Sequence, residues 1–273
     1  MTRYRLIVAT SPEDLARQCA ERIASCIDLA LAERDRAQIA LAGGETPKAA
    51  YERLGQEHLP WERVDVLLGD ERWVDPADPA SNARMLSETL LAQEPARSAR
   101  FHPVPTLDAS PELSAERFAA DLEALCLGSP PQLDLLLLGL GDDGHTASLF
   151  PGTAATTVTD RWVTVSEGKG LPRITLTAPV LSAARQVIFL VSGAGKRQAL
   201  QRLFDPAESP QRTPARLVQP LGEVLVLTDE RGPSMDRRVP VPVTLEPSYL
   251  DAPPKNFLSG LHEFPKRLDL GCR

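Results

Sequence analysis

The stretch that decides the fold is Leu135-Leu136-Leu137-Leu138-Gly139-Leu140-Gly141-Asp142-Asp143-Gly144-His145-Thr146-Ala147-Ser148-Leu149-Phe150-Pro151-Gly152. A strand with one wet face alternates apolar and polar residues; one covered on both faces is apolar throughout. Leu135 to Leu138 therefore predicts a strand inside a mainly parallel sheet. Glycines follow at once, and in such sheets ligands bind where the carboxyl ends of strands open into loops. Gly139, Gly141 and Gly144 match the G-x-G-x-x-G spacing of dinucleotide sites. That reading fails because Asp142 and Asp143 stand where backbone amides would meet a pyrophosphate, and because the fingerprint belongs early in a βαβ unit. The better reading is a glycine-permitted loop that presents His145. Imidazole, with an ordinary pKa of about 6.5, can take and return a proton near neutral pH. Asp143 is near enough in sequence to orient it. A histidine that caps a helix or sits satisfied in the core is the plainer reading. The glycines, the paired acids and the strand-end position outweigh it.

Outward from this stretch, strands and helices alternate. Strands are read at Leu6–Ala9, Gln38–Ala42, Val64–Leu68, Trp162–Val165, Ile174–Leu176, Val187–Val191 and Val224–Leu227. Ser11-Pro12-Glu13-Asp14 starts a helix, with a capping Ser, Pro at the first helical position and acids in the first turn. Leu15, Cys19, Ile23, Ile27 and Ala30 keep its apolar face. Thr46 and Pro47 resemble another cap and first position. Further helices are expected over Asn82–Leu91, Pro111–Leu125 and about Gly195–Leu203. The pattern predicts one α/β unit over residues 1–230, a mainly parallel central sheet flanked by helices. Residues 231–273, rich in proline and without sustained periodicity, read as an irregular tail.

Composition narrows the partners. Of the 273 residues, 30 are basic and 37 acidic, for a formal net charge of −7. No basic run or stripe is present, which argues against nucleic acid or an anionic membrane surface as partner. A small anion remains open, since a few local cations decide that. Cys19, Cys26, Cys126 and Cys272 form no C-x-x-C pair, so a metal role is disfavoured and a reducing compartment is expected. The apolar run ending at Ala9 is too short for a signal peptide, and nothing approaches the ~20 apolar residues of a membrane helix. The expected location is the cytoplasm.

Three further motifs fall at strand ends. Gly43-Gly44-Glu45-Thr46-Pro47 follows the second strand, where free amides and the Thr46 hydroxyl suit a phosphate. Glu45 is awkward there unless it points away. Asp70-Glu71-Arg72 ends the third strand. Such a triplet is usually a solvated turn, but Arg72 could hold a phosphate or a developing oxyanion and Asp70 could pair with a cation or direct a hydroxyl. Ser192-Gly193-Ala194-Gly195-Lys196 is similar to the end of a P-loop. Leu190 replaces the first P-loop glycine and Arg197 the magnesium-holding Ser/Thr, so no NTPase is read. Lys196 still suits a single phosphate, as does Arg173 after Gly168-Lys169-Gly170. There is no G-x-S-x-G or H-E-x-x-H motif. Ser148 offers a Ser–His pair, but nothing supplies the strained turn that exposes a nucleophile.

These motifs together resemble the 6-phosphogluconolactonase family over about residues 3–229. The likeness rests on G-G-x-T-P (Gly43–Pro47), D-E-R (Asp70–Arg72) with Ser81-Asn82 after it, the long run Leu137–Gly152, R-I-T-L-T (Arg173–Thr177) and G-x-G-K (Gly193–Lys196). The long run is highly specific. The resemblance implies the fold shared with glucosamine-6-phosphate deaminase and ribose-5-phosphate isomerase. It also implies metal- and cofactor-free hydrolysis of 6-phospho-D-glucono-1,5-lactone in the oxidative pentose phosphate pathway. Carried over by motif, His145 is the base, with Asp70 and Arg72 at the reacting centre. Gly43, Gly44, Thr46, Arg173 and Lys196 hold the substrate phosphate; Asp143 and Gly144 are expected among the substrate-binding residues, with the Gly144 amide a candidate donor to the oxyanion. Oligomeric state is left open. The nearest rival is a glucosamine-6-phosphate deaminase or isomerase, a branch that tends to continue G-H-I-A-F-N-E-P. Thr146 to Pro151 speaks for the lactonase. A sugar-phosphate-binding protein without catalysis is the rival from another class.

Overall fold

The computed structural model describes residues 2–230; the tail read at 231–273, with Cys272, lies outside the described residues. In chain order the elements are β1 (Arg3–Val8), α1 (Pro12–Glu33), β2 (Ala37–Leu41), α2 (Lys48–Leu54), β3 (Val64–Leu68), β4 (Asp70–Arg72), α3 (Asn82–Glu88), β5 (Arg100–Phe101), α4 (Pro111–Leu125), β6 (Leu135–Leu138), β7 (Val163–Gly168), β8 (Leu171–Leu176), α5 (Ala178–Ala183), β9 (Gln186–Val191), α6 (Arg197–Phe204) and β10 (Glu223–Thr228). Seven strands form one sheet in the order β1-β10-β9-β6-β2-β3-β5. Every pairing in it is parallel. The four leucines of β6 lie in the middle, buried on both faces, as their unbroken run requires.

Local signals account for most of the helices. Ser11 caps α1 by accepting a hydrogen bond from the Asp14 amide at 3.2 Å, with Pro12 in the first turn. Leu15, Cys19, Ile23, Ile27 and Ala30 are buried on its inner face. Cys19, Cys26 and Cys126 are free, buried thiols. Two boundaries differ from the reading above. Helix α2 begins at Lys48, with Pro47 at the capping position and no side-chain cap, so the Thr46 hydroxyl is not used by the helix. Helix α3 stops at Glu88.

The larger difference is a second sheet. Strands β4, β8 and β7 form a separate three-stranded antiparallel sheet. The Asp70-Glu71-Arg72 triplet is thus a strand rather than a turn. Its centre is satisfied by a buried acid: the Glu71 carboxylate accepts from the amides of Arg72 (2.7 Å), Asn82 (2.8 Å) and Ala83 (2.7 Å), tying β4 to the start of α3. No described helix is long and apolar enough to cross a membrane.

Candidate active site

Strands β2 and β6 are neighbours, but the chain leaves them toward opposite edges: β3 and β5 lie beyond β2, and β9 and β10 beyond β6. Ligands of parallel sheets bind at such a switch point, outside the carboxyl ends of the strands. A cleft of about 210 Å³ lies there, lined by the ends of β2, β6 and β9 and roofed by β4 and the β7–β8 turn. Gly43, Gly44, Thr46, Asp70, Arg72, His145, Arg173 and Lys196 all line it, so five motifs far apart in sequence meet. Asp143 and Gly144 are not among its lining residues. Among the described residues no group of three or more His, Cys, Asp or Glu side chains is placed to hold a metal ion.

His145 is set by its own loop. The Gly141 amide donates to the His145 carbonyl at 2.8 Å and the Gly144 amide to the Gly141 carbonyl at 2.9 Å. The imidazole lies across Gly141, where an added Cβ would stand 2.0 Å from Nδ1, so only glycine permits this approach. Asp143 Oδ1 sits 2.5 Å from Nδ1 and accepts the His145 amide at 3.0 Å. Burial would raise the Asp143 carboxyl, but these two hydrogen bonds hold it below its ordinary value. An ionised carboxylate only accepts, so Nδ1 carries the proton and Nε2 is left unprotonated, able to accept one. Burial lowers the imidazole pKa, and Asp143 opposes the shift without cancelling it. The ring is therefore neutral near pH 7. Phe150 packs on it with centroids 4.4 Å apart.

Asp70 plays a different part from Asp143. Its carboxylate accepts the Ser148 hydroxyl at 2.5 Å and lies 3.7 Å from Arg173 Nη1. Ser148 is fully buried with its hydroxyl committed, which removes it as a nucleophile. Arg173 is also buried, donates from Nε to the Gly168 carbonyl at 3.0 Å and lies 5.3 Å from the Phe150 centroid. Burial lowers its pKa from a very high ordinary value, with Asp70 opposing, and it stays a cation. Arg72 donates from Nη1 to the Ala80 carbonyl at 2.6 Å, while its buried Nε makes no hydrogen bond. Lys196 pairs with Asp142 at 2.6 Å. Asp229, at the end of β10, fixes the turn that carries Lys196 by accepting from the Ser192 hydroxyl (2.5 Å) and the Gly193 amide (3.0 Å). Glu45 lies at the rim of the cleft, with its side chain 87% exposed and paired with Lys48 at 2.8 Å.

The Gly144 amide, a sequence-level candidate for an oxyanion donor, is taken up inside the loop. Two lining residues were not singled out from sequence. Asn82 is buried and donates from Nδ2 to the Asp70 carbonyl at 2.9 Å, while its Oδ1 makes no hydrogen bond. Its side chain fills the space that a Cβ on Gly43 would need, so the first glycine of G-G-x-T-P is required by Asn82 as well as by a ligand. The S-N pair after D-E-R was the available signal. Lys169, in the β7–β8 turn, is the other. Its signal was the Gly168-Lys169-Gly170 triplet.

A seven-stranded parallel sheet, with a neutral histidine and several cations gathered at its switch point, defines an α/β protein built for a small anionic ligand. Known proteins narrow the class. The profile of the family described as Glucosamine-6-phosphate isomerases/6-phosphogluconolactonase matches residues 10–227. A 6-phosphogluconolactonase from Synechocystis sp. is 48% identical over 208 residues, covering 75% of this chain and 87% of that protein. A crystal structure of a 6-phosphogluconolactonase from Shewanella baltica superposes with a TM-score of 0.75 at 28% identity, covering 84% of this chain and 97% of that one. A monomeric glucosamine-6-phosphate deaminase shares the fold with a TM-score of 0.70 at 20% identity, covering 82% and 96%. The chain belongs to the glucosamine-6-phosphate isomerase/6-phosphogluconolactonase family.

Proposed function

We propose that this protein hydrolyses 6-phospho-D-glucono-1,5-lactone to 6-phosphogluconate in the oxidative pentose phosphate pathway. The observation that carries the reading is the His145–Asp143 pair, its Nε2 left free, opening on a cleft that Arg72, Lys169, Arg173 and Lys196 also line. The 48% identity to a 6-phosphogluconolactonase supports the choice of substrate.

In this reading Nε2 of His145 takes a proton from water as its oxygen attacks C1 of the lactone. The C1 carbonyl becomes an oxyanion in the field of Arg72, whose buried Nε has no other partner. As the tetrahedral centre collapses, the bond from C1 to the ring oxygen breaks and the imidazolium returns its proton to that oxygen. Asp143 holds the ring in the required tautomer and steadies the imidazolium. Gly43, Gly44, Thr46 and Lys196 hold the phosphate, with Asp142 giving up Lys196 as the phosphate arrives. Asp70 and Ser148 keep Arg173 in place. Phosphate binding at a distance from C1 then turns remote binding energy into rate.

The test is a progress curve on freshly made phospholactone, corrected for spontaneous hydrolysis, beside an ammonia assay on glucosamine 6-phosphate. Acceleration of the first with no ammonia from the second is expected. Ammonia release, or tight 6-phosphogluconate binding without turnover, would overturn the assignment.

A further inference from the structure

Two residues other than glycine have positive φ among the described residues: Ala147 at 45° and Lys169 at 54°. Both line the cleft. Lys169 and Gly170 make the two-residue connection between β7 and β8, where Gly168 pairs with Leu171 and Gly170 has φ of 79°. Two successive positive φ values define a tight hairpin turn whose first position favours Asn, Asp or Gly. A lysine there is strained, and the turn makes no use of it. Its side chain is exposed and forms no hydrogen bond or ion pair among the described residues. Strain retained without local benefit points to function.

The turn is pinned beside the base. Arg173 Nε holds the Gly168 carbonyl at 3.0 Å. The Phe150 ring lies where a side chain at position 168 would be, and the same ring packs on His145. The charged groups acting on His145 are Asp143 from its own loop, Asp70 from β4 and Lys169 from this turn; the Lys169 charge depresses the pKa values of both His145 and Asp143. The other cations lining the cleft are engaged, Lys196 by Asp142, Arg173 by Asp70 and Gly168, and Arg72 by Ala80 through Nη1. Among the described residues Lys169 alone of these cations donates no hydrogen bond.

We infer that Lys169 is a catalytic residue of this site, its ammonium binding the C1 oxygen beside Arg72 as negative charge builds there and then the carboxylate that hydrolysis leaves. This rests on the lactonase reading above. As the water oxygen bonds to C1, the carbonyl π pair moves onto its oxygen, opposite Lys169. The pair returns as the bond from C1 to the ring oxygen breaks, and the ring oxygen takes the proton held by His145. The new acid loses its proton to solvent, and its carboxylate faces Lys169 until release. Lys169 neither gains nor loses a proton. Before substrate arrives, its charge helps keep His145 unprotonated.

Lys169→Asn tests this without threatening the fold, because asparagine suits the turn. Rates on the phospholactone are measured from about pH 5 to 8, with inhibition by 6-phosphogluconate and by glucose 6-phosphate, which share the phosphate but not the carboxylate. The variant should melt no lower than the parent and lose at least about tenfold in kcat. Its acid limb should move to higher pH, because a charge that opposed His145 protonation is gone. Inhibition by 6-phosphogluconate should weaken while that by glucose 6-phosphate holds, and Lys169→Arg should restore most of the rate. Parent-like kcat in Lys169→Asn, or equal weakening of both inhibitors, would overturn the role. A parent chain without lactonase activity would overturn the functional reading and this role with it, so the parent's own rate tells the two failures apart.

Discussion

Among the described residues two His–Asp pairs lie toward opposite ends of one sheet. Near the amino ends of β2 and β3, His102 Nε2 lies 3.0 Å from Asp65, and Asp65 also accepts from Arg36 Nε (2.7 Å), Arg36 Nη2 (2.8 Å) and Gln38 (3.2 Å). Beyond the carboxyl end of β6, His145 lies 2.5 Å from Asp143, which among the described residues accepts besides only the His145 amide. The first acid is 1% exposed, with donors crowded around it; the second is 48% exposed at its side chain, and its histidine faces a cleft. The same two residue types are thus a buried knot at one end and a cleft-facing pair at the other. What separates them is how many partners the carboxylate has and whether the free ring nitrogen meets an open space.

The comparison breaks most visibly at Asp65. Asp65→Asn leaves Arg36 without its carboxylate, and urea unfolding should show a loss of about 3 kcal/mol, with kcat of the folded fraction unchanged. The loss should shrink on acidification. Hydrogen bonds, chiefly from Arg36, outweigh burial and lower the Asp65 pKa. Its stabilisation is therefore present above the unfolded value of about 3.9 and fades as pH falls through the folded value. Asp143→Asn should do the reverse: little change in unfolding, but a kcat lower by about ten- to a hundredfold, within the ~10²–10⁴ that general base catalysis supplies. Its acid limb should move to lower pH, because the anion that favoured the imidazolium is gone. Gly43→Ala pushes into Asn82 and should raise KM about fivefold, or about 1 kcal/mol. Adding Asn82→Ala should recover part of that, since residues that share a contact do not act additively. The smallest effect belongs to Glu45→Gln, a change in KM below about twofold, because its exposed pair with Lys48 is worth little.

How far the sequence could be read follows the same division. The four leucines, the glycines after them and His145 were legible because a doubly covered strand and a glycine loop leave local marks. The G-G-x-T-P turn and the G-x-G-K turn were legible for the same reason. The antiparallel sheet was not. A charged triplet has little strand propensity by itself. Asp70-Glu71-Arg72 becomes a strand only because α3 supplies amides to Glu71 and β8 supplies a pairing edge. Asn82 and Lys169 were missed because each is brought to the cleft by a part of the chain distant from the motifs around it: Asn82 fills the space beside Gly43, and Lys169 sits in a hairpin whose turn lacks the usual Asn-Gly mark. Position in a motif placed His145 at a strand end; the folded arrangement alone shows which acid meets its ring, Asp143 rather than Asp70.

The most direct measurement of the central claim is the initial rate of phospholactone hydrolysis by His145→Ala beside the parent, with 6-phosphogluconate binding followed in both. The account predicts a rate at or near the spontaneous background with binding retained. An unchanged kcat/KM in His145→Ala would contradict it.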